Sequence, residues 1–135
     1  MIEINNTTQS TIDEVLLKKT AEMVLKGEKV TNSELSVAIV GPKRMQELNK
    51  KYRKKDKAAN VLSFKEGELS LGEVVLCPQE VRKDAKKYGI LFKEALAWML
   101  IHGILHLLDY NHEESVKDAQ QMEEKEESYL HALNL

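Results

Sequence analysis

Ala95-Leu96-Ala97-Trp98-Met99-Leu100-Ile101-His102-Gly103-Ile104-Leu105-His106-Leu107-Leu108 is the longest apolar stretch of the chain. A surface helix carries one apolar stripe, whereas this segment is apolar nearly all round. It therefore reads as a helix buried at the centre of a domain. Trp98 and Met99 belong to its packing. Two histidines interrupt the run. His102 and His106 stand four residues apart, so in a helix both imidazoles leave the same face. His112 follows six residues later, past the expected helix end, where the chain can turn back. Three neutral imidazoles placed this way can hold one divalent metal and leave a coordination position open. His131 fits no ligand pattern.

The spacing is that of the long zinc-protease motif H-E-x-x-H-x-x-G-x-x-H. The peptidase general base would be a Glu directly after the first histidine, and here that residue is Gly103. The metal-binding half of the motif is kept and the peptidase half is absent. Asp109 stands where the motif has its turn glycine. Aspartate tolerates a left-handed backbone better than most residues, so a turn is still expected there.

Working outward, Ile2 and Ile4 alternate with polar neighbours, a short strand signal. Thr11-Ile12-Asp13-Glu14 has the capping-box pattern and opens a helix that ends near Gly27. Leu35 to Val40 reads as a strand stopped by Gly41, and Pro42 starts a polar helix. Val61 to Phe64 and Leu71 to Cys77 read as two more strands. Pro78 begins a helix ended by Gly89. A last helix runs from about Glu114 to Leu133, acidic on its exposed side. The expected fold is one α+β domain over residues 1–135. It has a small mixed β-sheet, about five helices, and a central buried helix carrying the histidines.

The 135 residues suffice for one core and not for two. Cys77 is the only cysteine, which excludes an intrachain disulfide and suits a reducing, cytoplasmic setting. The N-terminus lacks the pattern of a signal peptide. The Ala95–Leu108 run is short for a membrane span and contains two histidines. Formal net charge is −2, yet it is unevenly spread. Between Pro42 and Lys57, eight basic residues face two acidic ones, a local +6, whereas Glu113 to Glu127 carries −5. The basic run suits either a phosphate backbone or a solvated helix face.

The run His102-Gly103-Ile104-Leu105-His106-Leu107-Leu108-Asp109-Tyr110-Asn111-His112 resembles the signature H-G-x-L-H-L-x-G-Y-D-H of the YbeY family of rRNA maturation factors. Leu48 to Asp56 resembles the family's L-N-x-x-Y-R-x-x-D, Asn60 to Phe64 its T-[DN]-V-L-S-F, and Leu71 to Val74 its L-G-D-I. The elements fall in family order and cover most of the chain. Asp109, Asn111 and Ala59 depart from the family's Gly, Asp and Thr; none is a presumed ligand.

The resemblance implies a metal-dependent single-strand endoribonuclease acting in 16S rRNA processing and ribosome quality control. Its metal would be one Zn2+ per chain, or another divalent transition metal, held by His102, His106 and His112. Single-stranded RNA, rRNA and ribosomal particles are the implied partners, with neither DNA nor a membrane. Arg53 matches the family's arginine and is the candidate for positioning phosphate. Glu73 is the candidate general base or partner of a ligand histidine, with a solvent-facing strand carboxylate the equal alternative. Lys50, Lys54 and Lys55 are the candidate RNA contacts. Gly103 is expected at the edge of the site, its missing side chain leaving room above the metal for a phosphodiester. Two other readings stay open: a non-catalytic ribosome-assembly factor with a structural metal, and a zinc peptidase, which the absent Glu disfavours.

Overall fold

The structure, a computed structural model, describes residues 1–67, 70–110 and 115–135. His112, Asn111 and the expected start of the last helix at Glu114 lie outside the described residues. The elements run β1 (Ile2–Asn6), α1 (Glu14–Gly27), β2 (Glu34–Ile39), α2 (Pro42–Arg53), β3 (Val61–Phe64), β4 (Ser70–Leu76), α3 (Pro78–Tyr88), α4 (Phe92–Leu107) and α5 (Val116–Leu133). The sheet order is β1-β2-β4-β3. The β1–β2 and β2–β4 pairs are parallel, and β3 runs antiparallel to β4 along one edge. This is the expected α+β domain with a mixed sheet.

Local chemistry explains most boundaries. Pro42 and Pro78 open α2 and α3, where a missing N–H costs nothing. Gly89, at φ 66°, closes α3 in the left-handed region. The start of α1 differs from the capping-box expectation. Asp13, not Thr11, is the N-cap, its carboxylate accepting the Leu16 N–H at 3.0 Å. A carboxylate is as good a cap as a hydroxyl, and Asp13 lies two residues closer to the apolar run.

The sheet separates two cores of unequal size. On one face, Leu35, Val37 and Ile39 of β2 and Val74 and Leu76 of β4 pack against α1 and α4, with α3 and α5 around α4. On the other face, Leu62, Val75 and Cys77 pack against Met45 of α2. The alternation along β4 is the strand period of two. Leu100, Ile101, Ile104 and Leu105 of α4 are fully buried. Replacing one such leucine by alanine typically costs about 2–5 kcal/mol, which is how this helix anchors the domain. Among the described residues no single helix is long and apolar enough to cross a membrane. Among those residues only α3 and α4 taken together are both long and apolar enough, and the chain bends by 112° between them.

Candidate metal centre and groove

From Ala95 to Leu107, helix α4 is buried except at Trp98, His102 and His106. These positions recur every four residues, and with Glu94 they form one stripe along an otherwise apolar helix. His102 and His106 stand edge-on, their rings inclined by 73° with centroids 4.6 Å apart. Their Nε2 atoms lie 3.1 Å apart. Two nitrogens on a tetrahedral zinc at ~2.0–2.1 Å are about 3.3 Å apart. The pair therefore already has nearly the spacing of two ligands to one ion, and imidazole is a suitable donor for it. Among the described residues no group of three or more His, Cys, Asp or Glu side chains is placed to hold a metal ion. The third expected ligand, His112, lies outside them.

The other ring nitrogen of His102 meets a buried carboxylate. His102 Nδ1 is 3.0 Å from Glu126 Oε1, and Trp98 Nε1 donates to Glu126 Oε2 at 3.2 Å. The Glu126 side chain is only 10% exposed. Glu126 was not among the residues expected at the site, because α5 reads as an acidic solvated helix. A signal was present: Met122, Glu126 and Leu130 are spaced four apart, and Met122 is buried in the core. A carboxylate interrupting an inward stripe needs a partner. Trp98 likewise does more than fill the core.

The imidazoles open into a groove of about 970 Å3 that wraps round the edge strand β3. Its far wall is the end of α2, where Tyr52 and Arg53 line it. Tyr52 is 55% exposed and packs edge-on against Phe64, with ring centroids 4.9 Å apart. Lys50, Lys54 and Lys55 are exposed near the same helix end but do not line the groove. Lys50 stands 4.0 Å from Asp56. Glu73 is not brought to the histidines. It pairs with Phe64 across the strands and alternates with Val74, so it lies on the α2 face of the sheet, opposite α4. Burial there, with the nearby charge of Glu66, pushes its carboxyl above the ordinary value.

Gly103 corrects an expectation. A Cβ on it would point at the sheet, 2.7 Å from Val74 Cγ1, 3.1 Å from Ser63 Oγ and 3.2 Å from Val61 Cγ2. Its carbonyl accepts the Ser63 hydroxyl at 2.8 Å. The missing side chain lets α4 lie close on β3 and β4; it does not clear space above the imidazoles. The turn at Asp109 forms as expected. Asp109 has φ 71°. Its N–H donates to the His106 carbonyl at 3.1 Å, and the Tyr110 N–H to the Leu105 carbonyl at 3.0 Å. This pair of bonds is the Schellman ending of a helix, with aspartate in the place usually held by glycine. The Asp109 carboxylate pairs with Lys65 across the mouth of the groove.

Comparison with known proteins agrees with this geometry. The family model "Endoribonuclease YbeY" matches residues 2–134. A relative of that name from Ruthia magnifica is 41% identical over 133 residues, covering 93% of this chain and 91% of its own. One from Petrotoga mobilis is 37% identical, covering 98% of this chain and 96% of its own. One from Bdellovibrio bacteriovorus is 41% identical over 100 residues, 73% of this chain and 66% of that relative. A solution structure of a Thermotoga maritima protein superimposes with a TM-score of 0.71 at 30% identity, over 98% of this chain and 89% of that one. The chain belongs to the YbeY family of endoribonucleases.

Proposed function

We propose that this protein is a metal-dependent single-strand endoribonuclease acting in the cytoplasm on ribosomal RNA, in 16S rRNA processing and ribosome quality control. One Zn2+ per chain, or another divalent transition metal, would be held by His102, His106 and His112. The observation that carries the reading is the 3.1 Å approach of two imidazole Nε2 atoms in a groove whose opposite wall includes Arg53.

Each residue then has a task. Bound at the histidines, a divalent ion would supply Lewis acidity to water and to the phosphodiester. Arg53 presents a planar fork that suits two phosphoryl oxygens and offsets charge gathering on the phosphorane. Tyr52 offers an exposed ring on which an unpaired base can stack, which favours single strands over duplexes. Lys50, Lys54 and Lys55, just outside the groove, draw in the backbone on either side. Glu73 stands behind the groove, and this reading gives it no contact with the scissile phosphate.

The test is cleavage of a single-stranded rRNA fragment by the wild type, His106→Ala and Arg53→Ala, with bound metal measured on each. His106→Ala should lose both ion and cleavage. Arg53→Ala should keep its metal and lose about 10²-fold or more in cleavage. Cleavage by His106→Ala at the wild-type rate would reject the assignment.

A further inference from the structure

We infer that Glu126 is a positioning residue that, together with Trp98, fixes the tautomer of His102 and so aims its Nε2 lone pair at the ion. The inference rests on the reading of His102 as a metal ligand. The argument is one of donors and acceptors. An indole N–H can only donate, so Trp98 Nε1 takes Glu126 Oε2 at 3.2 Å. A carboxylate can only accept, so the nitrogen 3.0 Å from Oε1 must carry a hydrogen: His102 is held as Nδ1–H. In that tautomer Nε2 is the unprotonated nitrogen, the one that carries the lone pair, and it is the atom 3.1 Å from His106 Nε2.

The arrangement is built into helix packing. Trp98 and His102 are one turn apart on α4, and α5 crosses α4 so that Glu126 reaches both. Burial of the carboxylate makes the arrangement costly to leave, since an unpaired buried donor or acceptor costs about 1–3 kcal/mol. Through Glu126, α5 reaches the Nδ1 side of the His102 ring, so this helix controls the orientation of that ligand. Carboxylate partners of ligand histidines commonly change metal affinity by about 10–100-fold.

Glu126→Gln separates this role from packing, because the amide has the same shape but one acceptor and one donor group. Facing two N–H donors, it can satisfy only one. If its oxygen takes Trp98, its NH2 group faces His102 Nδ1, and the ring switches to Nε2–H. Nitrogen–proton NMR of the metal-free variant should show that switch. Zn2+ affinity, measured by competition with a chromophoric chelator, should fall about 10–100-fold. Adding Trp98→Phe to Glu126→Gln removes the competing donor. The Gln oxygen then returns to His102 Nδ1–H, and the Nδ1–H tautomer and most of the affinity should recover. No purely structural role for Glu126 predicts rescue by a second truncation. If Glu126→Gln keeps the wild-type tautomer and binds Zn2+ within twofold of wild type, the inference is overturned while the metal site stands. If the wild type binds no ion that His106→Ala removes, the metal reading fails and takes the inference with it.

Discussion

Gly103 of α4 and Val74 of β4 pack so closely that a Cβ on residue 103 would fall 2.7 Å from Val74 Cγ1. Val74 is fully buried and β-branched, so its methyl has little room to swing aside and the overlap has to be relieved largely by moving α4 away from the sheet. Gly103→Ala is expected to destabilise the domain by about 1–3 kcal/mol, the usual cost of overpacking, as measured by urea denaturation. Gly103→Glu, which would restore the protease motif, should not fold, so no peptidase can be made by that change. An alanine variant as stable as wild type would show that α4 can lift off the sheet.

Metal removal should leave the fold but lower its melting point. A ligand that binds only the native state adds RT ln(1 + [L]/Kd), about 2.7 kcal/mol at a hundredfold excess over Kd. Wild-type protein should therefore melt several degrees lower in chelator than in Zn2+. His106→Ala should melt at one temperature in both. A zinc-dependent shift surviving in His106→Ala would place the ion elsewhere.

Affinity for single-stranded RNA should fall steeply with salt. Reversing the charge of Lys50, Lys54 and Lys55 together should weaken it and flatten the slope of log K against log salt. These lysines lie beside the groove, not in it, so cleavage of saturating RNA should change less than binding. A triple variant with unchanged affinity and slope would put the RNA path on another surface.

Glu28, at the end of α1, accepts the Tyr110 hydroxyl at 2.7 Å, the Tyr129 hydroxyl, and Lys125 Nζ at 3.3 Å. Burial alone would raise its carboxyl, but the hydrogen bonds from Tyr129, Tyr110 and Lys125 outweigh it and hold the group below its ordinary value of 4.5. Its contribution to stability is thus present above that value and lost as pH falls toward the lower folded one. The tyrosines act in the opposite sense. Burial and the bond to Glu28 push Tyr110 from 10.0 up to about 12, and Tyr129 is raised as well. Their contribution is present below pH 10 and lost as pH climbs through the raised value. Glu28→Gln should cost about 1–3 kcal/mol at neutral pH and flatten both limbs of the stability–pH curve. Parallel curves for variant and wild type would remove Glu28 from this role.

Asp109 holds a left-handed backbone, φ 71°, that glycine adopts without strain. The ion pair it makes with Lys65 is exposed and contributes little. Asp109→Gly should therefore be neutral or stabilising by up to about 1 kcal/mol, and Asp109→Val destabilising by more than that, both read from thermal melts. A valine variant equal to wild type would mean the turn can form another way.

Much of this was legible in the chain. The prolines before α2 and α3, Gly89 and the alternation in β2 mark boundaries through local chemistry, which a sequence displays directly. His102 and His106 were legible because helical spacing alone puts them on one face. Glu126 was not, because its meaning depends on how α5 crosses α4, a relation between residues 24 apart. Glu73 and Gly103 were misplaced for a related reason. Each sits next to a residue that faces the expected way, and only strand pairing and helix–sheet distance decide the side.

The groove draws its walls from both sides of the sheet, and the two sides are unequally held. His102 and His106 stand on the helix that organises the larger core, whereas Tyr52 and Arg53 close a helix that buries chiefly Met45 and Asn49 against the smaller one. Local opening starts where least apolar surface is buried. Backbone amides of α2 should exchange with solvent sooner than those of α4, and on warming the substrate side of the groove should loosen first. The chain would then pass through a range of temperature in which it still carries its ion but no longer holds a strand against it, an enzyme switched off by partial melting long before it unfolds.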